Sequence, residues 1–220
     1  RVRPDEREHA YDIRVGGQPV GFMTRRFSVE KRATVDGSGQ MAKHGLRVSE
    51  HGWRFGEGGS AVVTRFDLFA SSDLESELIE ARQTRLGPKD DPAPPVVSLD
   101  QAIREGDILF THRTSVDAVA PDPRRPLRLD RAYLGLAWAR LLPGLLGDGP
   151  GPALGFVVYG ADTRSLTTYL IQPLGPQPLP AGTGTALAFR VREGVGAEEA
   201  RLYADESGGL LRYESGDVVV

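Results

Sequence analysis

Tyr11-Asp12-Ile13-Arg14-Val15-Gly16-Gly17-Gln18-Pro19-Val20-Gly21 decides how the rest of the chain is read. Tyr11, Ile13 and Val15 alternate with Asp12 and Arg14, the period of a strand with one face in a core and one in water. Gly16-Gly17 supplies a two-residue turn, since glycine reaches positive φ without steric cost. A second strand follows from Val20 to Val29, and Gly21 beside Phe22 and Met23 predicts a β-bulge.

The same grammar recurs downstream. Asp36-Gly37 and Ser38-Gly39 form a turn. Leu46 and Val48 alternate, His51-Gly52 reads as another turn, and Trp53 and Phe55 resume the pattern. Val62, Thr64, Phe66 and Leu68 make a further strand, giving an antiparallel meander. Residues 72–86 admit two readings. Ser72 and Glu75 form a capping box with Leu74, Leu78 and Ala81 on one helix face, yet the same residues alternate from Leu78 to Thr84, and the meander favours a strand. Ser98 with Gln101, then Leu99, Ala102 and Ile103, then Gly106 as a C-cap, predict a short helix. A strand from Ile108 to Val116 follows. Asp130 is expected to cap a helix that Pro143 stops, with Leu129 and Leu134 as a hydrophobic staple. Leu134, Trp138, Leu141 and Leu142 then form an apolar stripe, leaving Arg131 and Arg140 in water. Strands are expected at Phe156–Tyr159 and Ser165–Ile171 around Ala161-Asp162, and at Ala186–Val191, Ala200–Ala204 and Leu210–Glu214. Proline-rich joints fall at 88–95, 121–126 and 173–180. The fold class is mainly β: a curved antiparallel sheet or half-barrel carrying one or two helices, in a single domain over residues 1–220.

Composition limits function. The 220 residues carry 27 Lys and Arg against 30 Asp and Glu, a net charge of −3. Mixed charge without a basic stripe argues against nucleic acid. The absence of cysteine removes disulfides, thiolate metal sites and a Cys nucleophile. The greasiest run, Tyr133 to Leu146, is broken by Arg140, Pro143 and Gly144 and is too short to span a bilayer. Arg1 in place of a Met, and the apolar Val218-Val219-Val220 at the other end, lead us to expect cut ends, with a signal peptide or lipid anchor fitting before Arg1.

No serine sits in a nucleophile elbow, and the glycines at 147, 149 and 151 do not make a phosphate loop. His44 and His51 meet only if the chain folds back at Gly52. A metal site with Asp36 or Glu50 is then conceivable, but scattered histidines make ordinary surface residues the better reading, so neither metal nor cofactor is expected. The carboxylate groups Asp73, Glu75 and Glu77, Glu198 and Glu199, and Asp205 and Glu206 read as solvated faces rather than catalytic pairs. The helix is either a core helix or the wall of an apolar cavity. Trp53, Phe66, Leu134, Trp138, Leu142 and Phe156 are the residues expected to line it.

The opening Tyr11 to Gly21 resembles the first hairpin of a group of bacterial envelope proteins, "Tyr-x-Ile-x-x-x-Gly-x-x-Val-Gly". The closing Leu202-Tyr203-Ala204-Asp205-Glu206-Ser207-Gly208-Gly209-Leu210 is similar to their last hairpin, "aromatic-x-Asp-x-x-Gly-x-Leu". The group comprises uncharacterised secreted domains with a fold similar to the half-barrel of periplasmic lipoprotein carriers. The resemblance implies a non-enzymatic, extracytoplasmic domain in the periplasm, envelope or outside the cell. It would bind a lipid or other apolar molecule, or a protein partner. The alternative is an assembly module using sheet edges and Pro-rich loops, and after that an enzyme with an unrecognised site. The group has no catalytic motif to carry over.

Overall fold

The computed structural model describes residues 8–36, 39–88, 96–115, 125–160, 163–180, 182–194 and 196–220. Its strands are β1 (Glu8–Val15), β2 (Gln18–Asp36), β3 (Gly39–Phe55), β4 (Ala61–Ser71), β5 (Ser76–Leu86), β6 (Val96–Glu105), β7 (Ile108–Ser115) and β8 (Arg125–Arg128), followed by the helix α1 (Leu136–Leu145). Then come β9 (Leu154–Gly160), β10 (Ser165–Pro178), β11 (Thr185–Glu193), β12 (Ala200–Ala204), β13 (Leu210–Ser215) and β14 (Val218–Val219).

All fourteen strands form one antiparallel sheet, ordered β8 back through β1, then β14 back through β9. Two meanders therefore meet where β1 pairs with β14, Arg14 opposite Val219 and Val15 opposite Val218. The sheet does not close, because its two edges, β8 and β9, are not hydrogen-bonded to each other. The chain between them partly covers the β9 edge. Val157 N–H donates to Ala132 O at 2.9 Å and Leu134 N–H to Val157 O at 2.8 Å. The chain then turns inward as α1, which packs on β3, β4 and β9.

Long paired strands twist and coil rather than lie flat. β2 and β3 pair without interruption from Gly21 opposite Arg54 to Asp36 opposite Gly39. Glycine permits the close approaches this bending needs. A Cβ at Gly45 would stand 2.4 Å from Ala70 O and 2.7 Å from the Phe69 ring. The expected bulge near Gly21 is present: the β1–β2 register jumps between Ile13, opposite Gly21, and Arg14, opposite Pro19.

Other expectations are corrected. His51-Gly52 is no turn but the interior of β3, whereas the strand favoured within residues 72–86 is present as β5. Residues 98–105 are strand, not helix. Pro173 does not end β10; the strand continues to Pro178 across a register shift between Pro173 and Gly175. The helix begins at Leu136, and Pro143 lies within its last turn, so neither Asp130 nor Pro143 bounds it. Asp130 Oδ1 instead accepts from Ala132 N–H at 2.8 Å in a local turn. The Leu129–Leu134 staple is absent, the two residues belonging to different core clusters. Ala161-Asp162, Gly37-Ser38, Val116 and most of the loops at 88–95 and 121–126 lie outside the described residues.

α1 is a wedge between two cores. Leu136, Ala137 and Leu141 join Phe27, Val48, Leu68 and Ile79 of the first meander. Leu142 joins Ile171, Phe189 and Val191 of the second. Burying a Leu-sized side chain contributes about 1.5–3 kcal/mol, so one helix holds both meanders together.

Candidate functional site

The site begins with how α1 is held. Its N-cap is Gly135, which offers no capping side chain. The acceptor comes from 59 residues away: Glu77 on β5 accepts from Leu136 N–H at 2.6 Å through Oε1. Its other oxygen accepts from the Tyr133 hydroxyl. A carboxylate there also meets the positive end of the helix dipole. Burial pushes the Glu77 carboxyl above its ordinary range, the hydrogen bonds from Tyr133 and Leu136 and the charge of Arg104 offsetting this only in part. Glu77 is thus buried and structural, not part of a solvated acidic face.

α1 carries Arg140 to the inner face of the sheet. There Arg25 Nε donates to Glu50 Oε1 at 2.6 Å, and Arg140 Nε lies 3.7 Å from the same oxygen. Burial opposes ionisation of Glu50, but the charges of Arg25 and Arg140 and the Arg25 hydrogen bond outweigh it and hold the carboxyl below its ordinary range. Arg140 therefore does not simply sit in water, and Glu50 belongs to an ion cluster with it and Arg25.

Two chambers flank this cluster, sharing Met23, Glu50 and Val220 in their walls. The larger, of about 990 Å³, lies against the first meander. Ile13, Met23, Val62, Phe66, Ala81 and Val218 give its apolar wall. Asp100 is held there by Arg113 through a two-pronged pair, Nε to Oδ1 at 2.6 Å and Nη2 to Oδ2 at 2.7 Å. Arg54 and Arg85, both exposed, stand on either side of Val62 in one cross-strand row, a cationic rim. The smaller chamber, of about 390 Å³, lies between α1 and the second meander.

The six residues expected to line one apolar cavity are not brought together. Phe66 lines the larger chamber. Trp53 stands between Gly52 and Arg54, which face that chamber, so it points to the outer surface. There it stacks on Phe22, ring centroids 4.7 Å apart. Leu134, Leu142 and Phe156 belong to the second core. Trp138 is half-buried against the first core, its indole N–H donating to Ser71 O at 3.3 Å. His44 and His51 sit seven positions apart on one strand, pointing to opposite faces. Among the described residues, no three His, Asp or Glu side chains are grouped to hold a metal ion, and no helix is long and apolar enough to cross a membrane.

Reading the sequence missed Arg25, Asp100 and Arg113, took Glu50 only as a conceivable metal ligand and left Arg140 in water. For the four on strands the signal was present as charges at inward positions, such as Arg25 between Met23 and Phe27, but an apolar pattern search passes over them.

No family model and no curated protein matches the chain. Among solved structures, the chain is similar to a crystal structure of a beta-barrel-like protein of domain of unknown function DUF1849 from Brucella abortus. The TM-score is 0.57 at 10% identity, over 100% of this chain and 95% of that one. The likeness is one of fold: a β-rich, barrel-like architecture.

Proposed function

We propose that this is a non-enzymatic, extracytoplasmic domain whose large chamber holds an anionic amphiphile. Its chain lies along Ile13, Met23, Phe66 and Val218, and its acidic end meets Arg54 and Arg85. The observation that carries the reading is the division of one wall into an apolar interior and an arginine rim. Small-molecule sites are concave and mostly apolar with few polar groups, and guanidinium suits a carboxylate or phosphate. The interior carboxylates support binding over acid–base catalysis. The charges of Arg25 and Arg140 and the Arg25 hydrogen bond hold the Glu50 carboxyl below its ordinary range, which leaves it a poor proton carrier, and both Asp100 oxygens are spent on Arg113. The similarity of both terminal hairpins to envelope domains supports the extracytoplasmic placement.

The experiment is titration with the fluorescent fatty acid cis-parinaric acid. Ala81 faces the chamber between Phe66 and Asp100 on the neighbouring strands. Saturable binding is expected, weakened at least about tenfold by Ala81→Trp and by the double variant Arg54→Glu/Arg85→Glu. No saturable binding by the parent protein, or equal binding by both variants, overturns the reading. The outer ladder of exposed Phe22 and Phe55 with half-buried Trp53 supports a second reading, a protein-docking surface. Trp53→Ala that abolishes association while fatty-acid binding persists would favour it.

A further inference from the structure

The small chamber has a different chemistry from the large one. Deep in it lies Arg140, whose Nε is buried with no hydrogen-bond partner among the described residues. The nearest carboxylate oxygen, Glu50 Oε1, is 3.7 Å away and already accepts from Arg25. That separation exceeds hydrogen-bond range, so Arg140 has a neutralising charge nearby but unspent donors. A third of its side chain, 35%, remains accessible. The walls are Tyr169 and Tyr213 with Val191, Leu202 and Leu210. Burial pushes the Tyr169 phenol up, so its hydroxyl stays protonated and can donate. Glu193 and Glu198, also in the lining, are exposed and so stand toward solvent.

We propose that this chamber is a second site, for a small zwitterion with an apolar middle. The anionic end meets the guanidinium of Arg140. The chain lies between the tyrosines, and the ammonium meets Glu193 and Glu198. The arrangement discriminates by what it leaves unpaired. A simple anion brings no cation to the Glu193 and Glu198 carboxylates, of which Glu193 already feels the charge of Arg140, and a simple cation leaves the buried donor of Arg140 dry. The chamber is near the lower end of the roughly 300–1,000 Å³ of small-molecule sites, which suits an amino acid or a very short peptide and not a two-chain lipid.

The test is calorimetric titration of the full chain with γ-aminobutyrate and ε-aminocaproate, with caproate and hexylamine as single-charge controls. At least one aminoalkanoate is expected to bind about tenfold or more tighter than both controls. Glu193→Gln/Glu198→Gln, at exposed positions, should erase the preference over caproate. Arg140→Gln, checked for folding by circular dichroism, should erase the preference over hexylamine. Aminoalkanoate binding should persist in Ala81→Trp, which obstructs only the large chamber. Failure of fatty-acid binding there leaves this site standing. The proposal is overturned if neither aminoalkanoate exceeds both controls, if the preference survives the double glutamate variant, or if Ala81→Trp removes it.

Discussion

Glu77→Ala tests whether a side chain from the sheet, rather than the helix's own sequence, starts α1. The substitution removes the acceptor of Leu136 N–H and of the Tyr133 hydroxyl at once. Each buried donor left unpaired costs about 1–3 kcal/mol, and deleting one member of a buried charged network costs about 3–5 kcal/mol. We expect about 3–5 kcal/mol, a large part of the ~5–15 kcal/mol a domain has. Glu77→Gln separates acceptor from charge. The folded chain holds the Glu77 proton more tightly than the unfolded one, whose carboxyl titrates near 4.5. The group's contribution is therefore fully present below that pH and declines as pH rises through the raised folded value. The wild type and Glu77→Gln should be close in acid, with the balance moving toward glutamine by about pH 7. Urea denaturation at several pH values, with an unchanged slope, measures all three proteins. A cost below about 1 kcal/mol for Glu77→Ala, or equal costs for alanine and glutamine at every pH, would refute the capping argument.

Glu50 should behave oppositely. Its folded carboxyl lies below its ordinary value of 4.5, so its stabilisation is present above that pH and lost as pH falls through the lowered value. Glu50→Gln should be less stable near neutrality, where Arg25 and Arg140 lose their counter-charge, and should show a shallower acid decline; parallel pH profiles would contradict this. Trp138→Ala removes a half-buried indole and its hydrogen bond to Ser71 O. We expect about 2 kcal/mol by denaturation, below the ~3–5 kcal/mol of a fully buried tryptophan, and a cost near zero would show that the packing contributes nothing.

Local sequence determined the strands whose inner face is apolar or whose turns are glycine-marked. Tyr11 to Val15 with Gly16-Gly17, Val62 to Leu68, and Leu202 to Leu210 were legible because residue period and turn chemistry agree. The misread segments share one cause. β6 presents Ser98, Asp100, Ala102 and Arg104 to the interior, with Leu99 and Ile103 outward, so its apolar spacing mimics a helix. Asp100 can face inward because Arg113 on the next strand, with Arg164 Nε 3.7 Å away, neutralises it. Likewise β3 reads as broken at His51-Gly52 until Thr24 and Arg65 pair across it from both sides. The start of α1 was misplaced by five residues, its cap being Gly135 rather than Asp130, because residues 132–134 bond to the β9 edge, and because the acceptor comes from Glu77 rather than from a neighbour in the chain. For the same reason the candidate site was visible only as a helix over a curved sheet. Which charges meet inside depends on pairings between residues 13 to 90 positions apart, such as Asp100 with Arg113 and Glu50 with Arg140. A buried charge is stable only beside its partner, and that partner is fixed by strand register and helix placement, which only the assembled sheet decides.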